Sequence, residues 1–149
     1  SSPIKLAKSL EFIKKSLSVF LRTQAQNDMK NKNYTFFSLF SGAGGLDIGF
    51  KELGFESLGS SDFMEESERT YKLNWPDEPF IKKDIRKLSM KDILDTTKGR
   101  KPDVILGGPP CQGFSIMGYK NSSDPRNTLF ESYVRLLENS NRNVLCLKM

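Results

Sequence analysis

Cys111 is the side chain with the most chemistry to offer. It stands in the run Gly107-Gly108-Pro109-Pro110-Cys111-Gln112-Gly113-Phe114-Ser115. The residues before it, Asp103-Val104-Ile105-Leu106, are apolar and β-branched and read as a short buried strand. A cysteine is thereby placed just past a strand's C-terminal end, where open α/β sheets bind ligands. Pro109 and Pro110 fix φ and remove two backbone donors, so the loop is stiff. A lone cysteine can equally be a small buried hydrophobe, but packing does not call for the flanking Gly-Gly-Pro-Pro and Gln-Gly-Phe-Ser. A reactive cysteine works as its thiolate and needs donors or positive charge nearby. The chain has no histidine to act as its base, which disfavours a cysteine hydrolase.

Three further constellations fall at the ends of predicted strands. Phe40-Ser41-Gly42-Ala43-Gly44-Gly45-Leu46-Asp47 joins a first strand to a first helix. Its glycines let backbone approach a ligand, and the helix N-terminus offers N–H groups. The strict dinucleotide fingerprint is broken by Asp47, and an ordinary tight turn is the competing reading. Asp62 ends the second strand about 20 residues after the glycine turn, a placement that suits ribose hydroxyls; it could instead cap the helix starting at Glu65. Phe63 beside it could cover an adenine face. Asp84, closing a third strand, could accept from an adenine amino group, or be a cap or surface acid. Together these sites suit an adenosine ligand without pyrophosphate, and S-adenosylmethionine fits better than a dinucleotide.

The elements that must position these residues alternate. Strands are predicted over 34–40, 55–62, 79–84, 103–106 and 143–147. Helices are predicted over 46–53, 65–73, 90–95 and 128–137, with a long loop over 109–127. Alternating βα units imply an α/β fold, a parallel sheet with helices on both faces. A loop of that length inside a compact domain is usually functional. Ahead of this domain, 4–22 has the spacing of an amphipathic helix and 23–33 is a polar linker containing Met29. The expected division is therefore 1–33, then 34–149.

Composition narrows the classes. With 149 residues the chain can bury a real core, and 23 Lys and Arg against 18 Asp and Glu give a net charge of +5. That excess is compatible with a polyanionic partner or with a solvated basic surface. Two cysteines and no histidine exclude the usual zinc patterns and any histidine-based triad. Nothing resembles a disulfide framework, which suggests a reducing compartment. No apolar run approaches the ~20 residues that span a bilayer.

On these motifs the sequence resembles the DNA cytosine-5 methyltransferase family. The matching residues are Phe40 to Leu46, Asp62-Phe63, Thr70-Tyr71 with Asn74, Asp84-Ile85, Gly108 to Ser115, and Asp124-Pro125-Arg126-Asn127-Thr128-Leu129, within about 34–147. The resemblance implies a Rossmann-like S-adenosylmethionine-dependent fold, incomplete at the C-terminus. It implies that Cys111 attacks carbon 6 of a cytosine flipped out of double-stranded DNA, since the ring is inaccessible in the stack, and that carbon 5 then takes the methyl group. Phe40, Gly42, Ala43, Gly44, Gly45 and Leu46 would line the methionine end of the cofactor. Asp62 would hold the ribose, Phe63 and Ile85 would sandwich the adenine, and Asp84 would hold its amino group. Gly108, Pro110 and Leu129 would complete the wall. Pro109, Gln112, Gly113, Phe114, Ser115 and Arg126 would belong to a loop closing over DNA. A bacterial restriction–modification setting in the cytoplasm, near the nucleoid, follows by analogy.

The departures carry information too. The family usually has Glu where Asp62 stands, and by ungapped placement Lys148 falls where the family's base-binding Glu should be. Glu138-Asn139 repeats the family's dipeptide but lies on the preceding helix. With Met149 the last residue, the expectation is about the first half of a catalytic region. Such a piece could be one subunit of a split enzyme with a second chain, or a catalytically inactive remnant. An RNA cytosine-5 methyltransferase on the same scaffold is a further alternative.

Overall fold

The computed structural model describes residues 33–109, 125–140 and 143–146, with the backbone alone for 125–127 and 143–146, and Lys15, which is helical. Of the predicted helix over 4–22, everything but Lys15 lies outside the described residues. So do Pro110, Cys111, Gln112, Gly113, Phe114 and Ser115.

Five strands are present: β1 (Thr35–Leu39), β2 (Glu56–Asp62), β3 (Phe80–Lys82), β4 (Val104–Gly107) and β5 (Asn143–Cys146). Between them run α1 (Gly45–Glu52), α2 (Glu65–Asn74), α3 (Met90–Thr96) and α4 (Pro125–Ser140). The strands form one sheet in the order β3-β2-β1-β4-β5, and every pairing is parallel. Parallel neighbours need crossover connections, which the intervening helices supply.

β1 is fully buried, and its side chains alternate between two cores. On one face Phe37 and Leu39 join Ile105 of β4, Ile93 of α3, and Tyr133, Val134 and Leu137 of α4. On the other, Phe36 joins Val104 and Leu106 of β4, with Phe50 of α1 and Phe55 packed against them. Helices thus cover both faces, as the alternation of elements predicts. β1 and β4 are also tied at their starts. Asp103 Oδ2 accepts from the Thr35 amide and hydroxyl, each at 3.0 Å, and the Asp103 amide donates to the Thr35 carbonyl at 3.0 Å.

Two element boundaries differ from the sequence reading in ways that matter. Pro125 to Asn127 read as loop from their composition, yet they open α4. Proline suits a first helical turn, because its fixed φ is helical and its missing N–H would have no partner there. Asp84 does not close β3, which ends at Lys82. The Lys83 amide still donates to Asp62 O at 3.0 Å, after which Asp84 to Leu88 form a separate helical turn, with the Lys87 and Leu88 amides donating to Asp84 O.

α3 starts from a capping box. The Asp92 amide donates to Ser89 Oγ at 3.2 Å, and the Ser89 amide donates back to Asp92 Oδ2 at 2.8 Å. Lys83 Nζ reaches the same oxygen at 3.0 Å, and these bonds, Lys83 first, hold the Asp92 carboxyl down at about 2. A depressed carboxylate stabilises the fold above its ordinary pKa, and that contribution fades as pH falls through the folded value. Asp92→Ala is therefore expected to cost about 1 kcal/mol at neutral pH. In urea unfolding at several pH values, that difference from wild type should shrink between about pH 4 and pH 2.

Candidate functional site

Strand order reverses between β1 and β4, so the segments leaving their C-terminal ends diverge and open a crevice. Leu39 pairs with Gly107 across this point. The glycine turn therefore leaves β1 beside Gly108 and Pro109, the described start of the cysteine loop. The next two strand ends on the same side carry Asp62 and, two residues past β3, Asp84.

The glycine turn is bent by an unusual residue. Phe40 has φ 53°, a left-handed conformation that costs a residue with a Cβ about 1–2 kcal/mol. Its surroundings hold it there. The Ser41 amide donates to Ser61 O at 3.2 Å, and the Gly42 amide to Asp62 Oδ2 at 2.9 Å. The Phe40 ring packs 6.1 Å from Tyr133. Strain supported by its neighbours in this way is typical of ligand-binding turns.

Beneath the turn, Gly44 has φ 88° and faces the Trp75 ring so closely that a Cβ would overlap it, with Tyr71 Cε2 a further 3.1 Å contact. Trp75 is held in turn by Lys51 Nζ, 4.0 Å from its ring centre, and by Tyr71 at 4.8 Å between centroids. The Tyr71 hydroxyl lies 3.0 Å from Asp47 Oδ2, 2.8 Å from Ser60 Oγ and 2.8 Å from Glu78 Oε2, and Lys51 pairs with Glu78. Burial pushes the Tyr71 hydroxyl above the usual phenol range. Asp47, on the first turn of α1, is fully buried. The cluster locks the helix that follows the glycine turn to β2 and α2.

Asp62 does not cap α2. The N-cap is Met64, which makes no side-chain cap bond. Asp62 Oδ1 instead accepts from the Met64 amide at 3.0 Å, while Oδ2 holds Gly42. Its carboxylate thus ties the end of β2 to the turn after β1 and keeps acceptor capacity, since an ionised carboxylate offers about four lone-pair sites.

Asp84 is engaged differently. Arg86 closes on it through its amide at 2.9 Å, through Nε at 3.0 Å to both oxygens, and through Nη2. That guanidinium, above all, holds the Asp84 carboxyl below the usual carboxylate range. The Arg86 side chain is about half exposed, so solvent screens the pair and a competing donor can replace it.

Phe40, Asp62, Phe63, Asp84, Ile85 and Leu129 all line one open cleft, together with Leu39, Ser61, Lys83 and Leu88. The predicted adenosine residues are therefore brought together. Among the lining residues Phe63 is 62% exposed and Ile85 is buried, and the two carboxylates are those of Asp62 and Asp84. Gly42 and Gly45 have open space where a Cβ would stand, so backbone can be approached there. Ala43 is exposed, Leu46 half-buried, Gly108 half-buried and Pro109 buried, and none of the four lines the cleft. The side chain of Arg126 is outside the described residues. Sequence reasoning missed Lys83 and Arg86, whose only signal was adjacency to Asp84, and Trp75, which had none beyond a turn.

The family model for C-5 cytosine-specific DNA methylase matches residues 34–147. The type II methyltransferase M1.HphI of Haemophilus parahaemolyticus is 42% identical over 107 residues, covering 70% of this chain and 29% of that protein. M.AquIA of Picosynechococcus is 40% identical over 103 residues, covering 67% and 42%. The chain thus spans well under half the length of these relatives. A crystal structure titled as a DNA modification methyltransferase encoded within an E. coli prophage superposes with a TM-score of 0.64 at 31% identity, covering 73% of this chain and 30% of that one. A mutant of Spodoptera frugiperda DNMT2 superposes at 0.55 with 28% identity, covering 74% and 33%.

The contrast between the two open and closed glycines is testable by denaturant unfolding. Gly44→Ala should destabilise by about 3 kcal/mol, combining left-handed φ with overlap on Trp75. Gly42→Ala, in open space, should cost about 1 kcal/mol.

Proposed function

Because the chain belongs to the C-5 cytosine-specific DNA methylase family, we propose that it carries the cofactor cleft and the nucleophile of an enzyme that methylates carbon 5 of cytosine in DNA, with S-adenosylmethionine as the donor. The observation that carries this reading is one cleft at the C-terminal ends of β1, β2 and β3, lined by Asp62, Phe63, Asp84 and Ile85 together with Phe40 of the glycine turn. Such a cleft fits an adenosine. Asp62 has acceptor capacity for ribose hydroxyls, Phe63 and Ile85 offer two apolar faces for a purine, and Asp84 offers acceptors for its amino group. Gly42 and Gly45, open above the turn, leave room for the amino-acid end. Bound there, S-adenosylmethionine supplies an electrophilic methyl group.

The remaining chemistry belongs to the chain's own residues. Cys111, in the loop after β4, adds through its thiolate to carbon 6 of a cytosine. Electron density then gathers on carbon 5, which becomes the nucleophile for the methyl group. Loss of the carbon-5 proton and expulsion of the thiolate restore the aromatic ring. The cytosine must leave the duplex to be reached, and in this reading Pro109, Pro110, Gln112, Gly113, Phe114, Ser115 and Arg126 are the residues that meet the DNA. Residues 34–149 form the catalytic portion and 1–33 an appended segment.

Calorimetry should show S-adenosylmethionine binding to the chain, and Asp84→Ala should weaken it about tenfold or more, the usual worth of a hydrogen bond to a charged acceptor. Equal affinity in the variant would remove the adenine role. In the protein that transfers labelled methyl to duplex DNA, Cys111→Ser should lower transfer by ~10³ or more. Unchanged transfer would overturn the covalent route, and transfer to RNA alone would overturn the choice of DNA.

A further inference from the structure

We propose that Arg135 is the positioning residue for the purine end of the cleft. The inference rests on the adenosine reading of that cleft and deepens it. Arg135 lies on α4, and its guanidinium reaches about 50 positions back along the chain. Nη2 donates to Ile85 O at 3.1 Å, to Leu88 O at 3.1 Å and to Arg86 O at 3.4 Å, and Nη1 also reaches Arg86 O at 3.4 Å. These carbonyls belong to the isolated helical turn that begins at Asp84, and those of Arg86 and Leu88 lie in its last half. The turn's own amide bonds, from Lys87 and Leu88, all run to Asp84 and Ile85. Carbonyls at the end of such a turn have no partner within it, and a single helical turn is not stable alone. Arg135 supplies donors to the Arg86 and Leu88 carbonyls, which no amide of the turn serves, and a second donor to Ile85 O, which also accepts from the Leu88 amide.

The geometry makes this more than generic support. The clamped turn carries Asp84 and Ile85, the acid and the apolar face assigned to the purine. Ile85 and Leu88 are buried in the core that also contains Val134 and Leu137 of α4. The same helix sends Leu129 to the cleft. One helix therefore holds the wall in two ways, by apolar packing and by the guanidinium fork, and the fork fixes the backbone from which Asp84 projects. A planar guanidinium with five donors can serve several carbonyls at once, whereas a lysine ammonium at the same place is a point charge on a longer tether.

A merely structural arginine would weaken all ligands alike. A positioning arginine should affect the choice between purines. S-adenosylhomocysteine presents an amino group to Asp84, while S-inosylhomocysteine presents a carbonyl that a carboxylate repels. The experiment measures both dissociation constants on the full chain for wild type, Arg135→Met and Arg135→Lys, with hydrogen exchange at the Lys87 and Leu88 amides. Wild type should prefer the adenosyl ligand by about tenfold or more. Arg135→Met should bring that preference to within about threefold and speed exchange at Lys87 and Leu88, leaving β1 amides unchanged. Arg135→Lys, which keeps the charge and most of the stem, should not restore the preference, and it carries the test if the Met variant does not fold. A wild-type preference retained in the folded variants, with unchanged exchange, would overturn the role of Arg135. Binding of neither ligand by wild type would instead overturn the adenosine reading, while the exchange data would still judge the clamp.

Discussion

Burial of β1 on both faces is the constraint from which the rest of the structure follows. Phe36 and Phe37 are adjacent, point in opposite directions and are both fully buried. A strand of that kind must lie inside a sheet with helices on either side. The chain supplies β2 and β3 on one flank, then returns to place β4 and β5 on the other. The helices of the two flanks pack on opposite faces, α1 against Phe36 and α3 and α4 against Phe37 and Leu39, as right-handed crossovers require. The crevice at the C-terminal end of β1 is a by-product of that arrangement, and the chemistry-bearing residues are gathered around it.

The turn at that crevice is held against its own preferences. Phe40 takes a left-handed backbone, Gly44 presses on Trp75, and a cluster of buried Asp47, Ser60 and Tyr71 with half-buried Glu78 secures the next helix. Buried polar groups of this kind are tolerated when nearly every member is bonded. Asp47 Oδ1 is the exception here, buried with no partner among the described residues. The cluster joins α1, β2, α2 and the segment leading into β3, so the turn's shape is specified by several elements at once.

The two acids of the cleft illustrate how position decides role. Asp62 uses both oxygens on backbone amides and thereby links two strand ends. Asp84 spends its oxygens on Arg86, a neighbour two residues away whose exposed side chain is held weakly. One acid is architectural as well as available, and the other is available once a better donor arrives. The turn that carries the second acid hangs from a helix far along the chain, so its geometry depends on α4 as much as on β3.

Much of this was legible in the sequence alone. The alternation of β-branched runs with amphipathic stretches determined the elements, the parallel sheet and the coverage of both faces, because those periodicities are local. The motifs placed Phe40, Asp62, Phe63, Asp84, Ile85 and Leu129 in one site, and the cleft unites them. Cys111 was legible as a motif and lies outside the described residues. What the tertiary structure decided were the contacts across sequence distance. Arg135 on the carbonyls of Ile85, Arg86 and Leu88, Trp75 under Gly44, and Asp62 on the Gly42 amide leave no periodic trace. A side chain seeking a backbone carbonyl or amide is not constrained by the residue type at the other end. Pattern alone therefore identifies the elements and the motif residues, while the partners that aim them emerge only once the chain has folded.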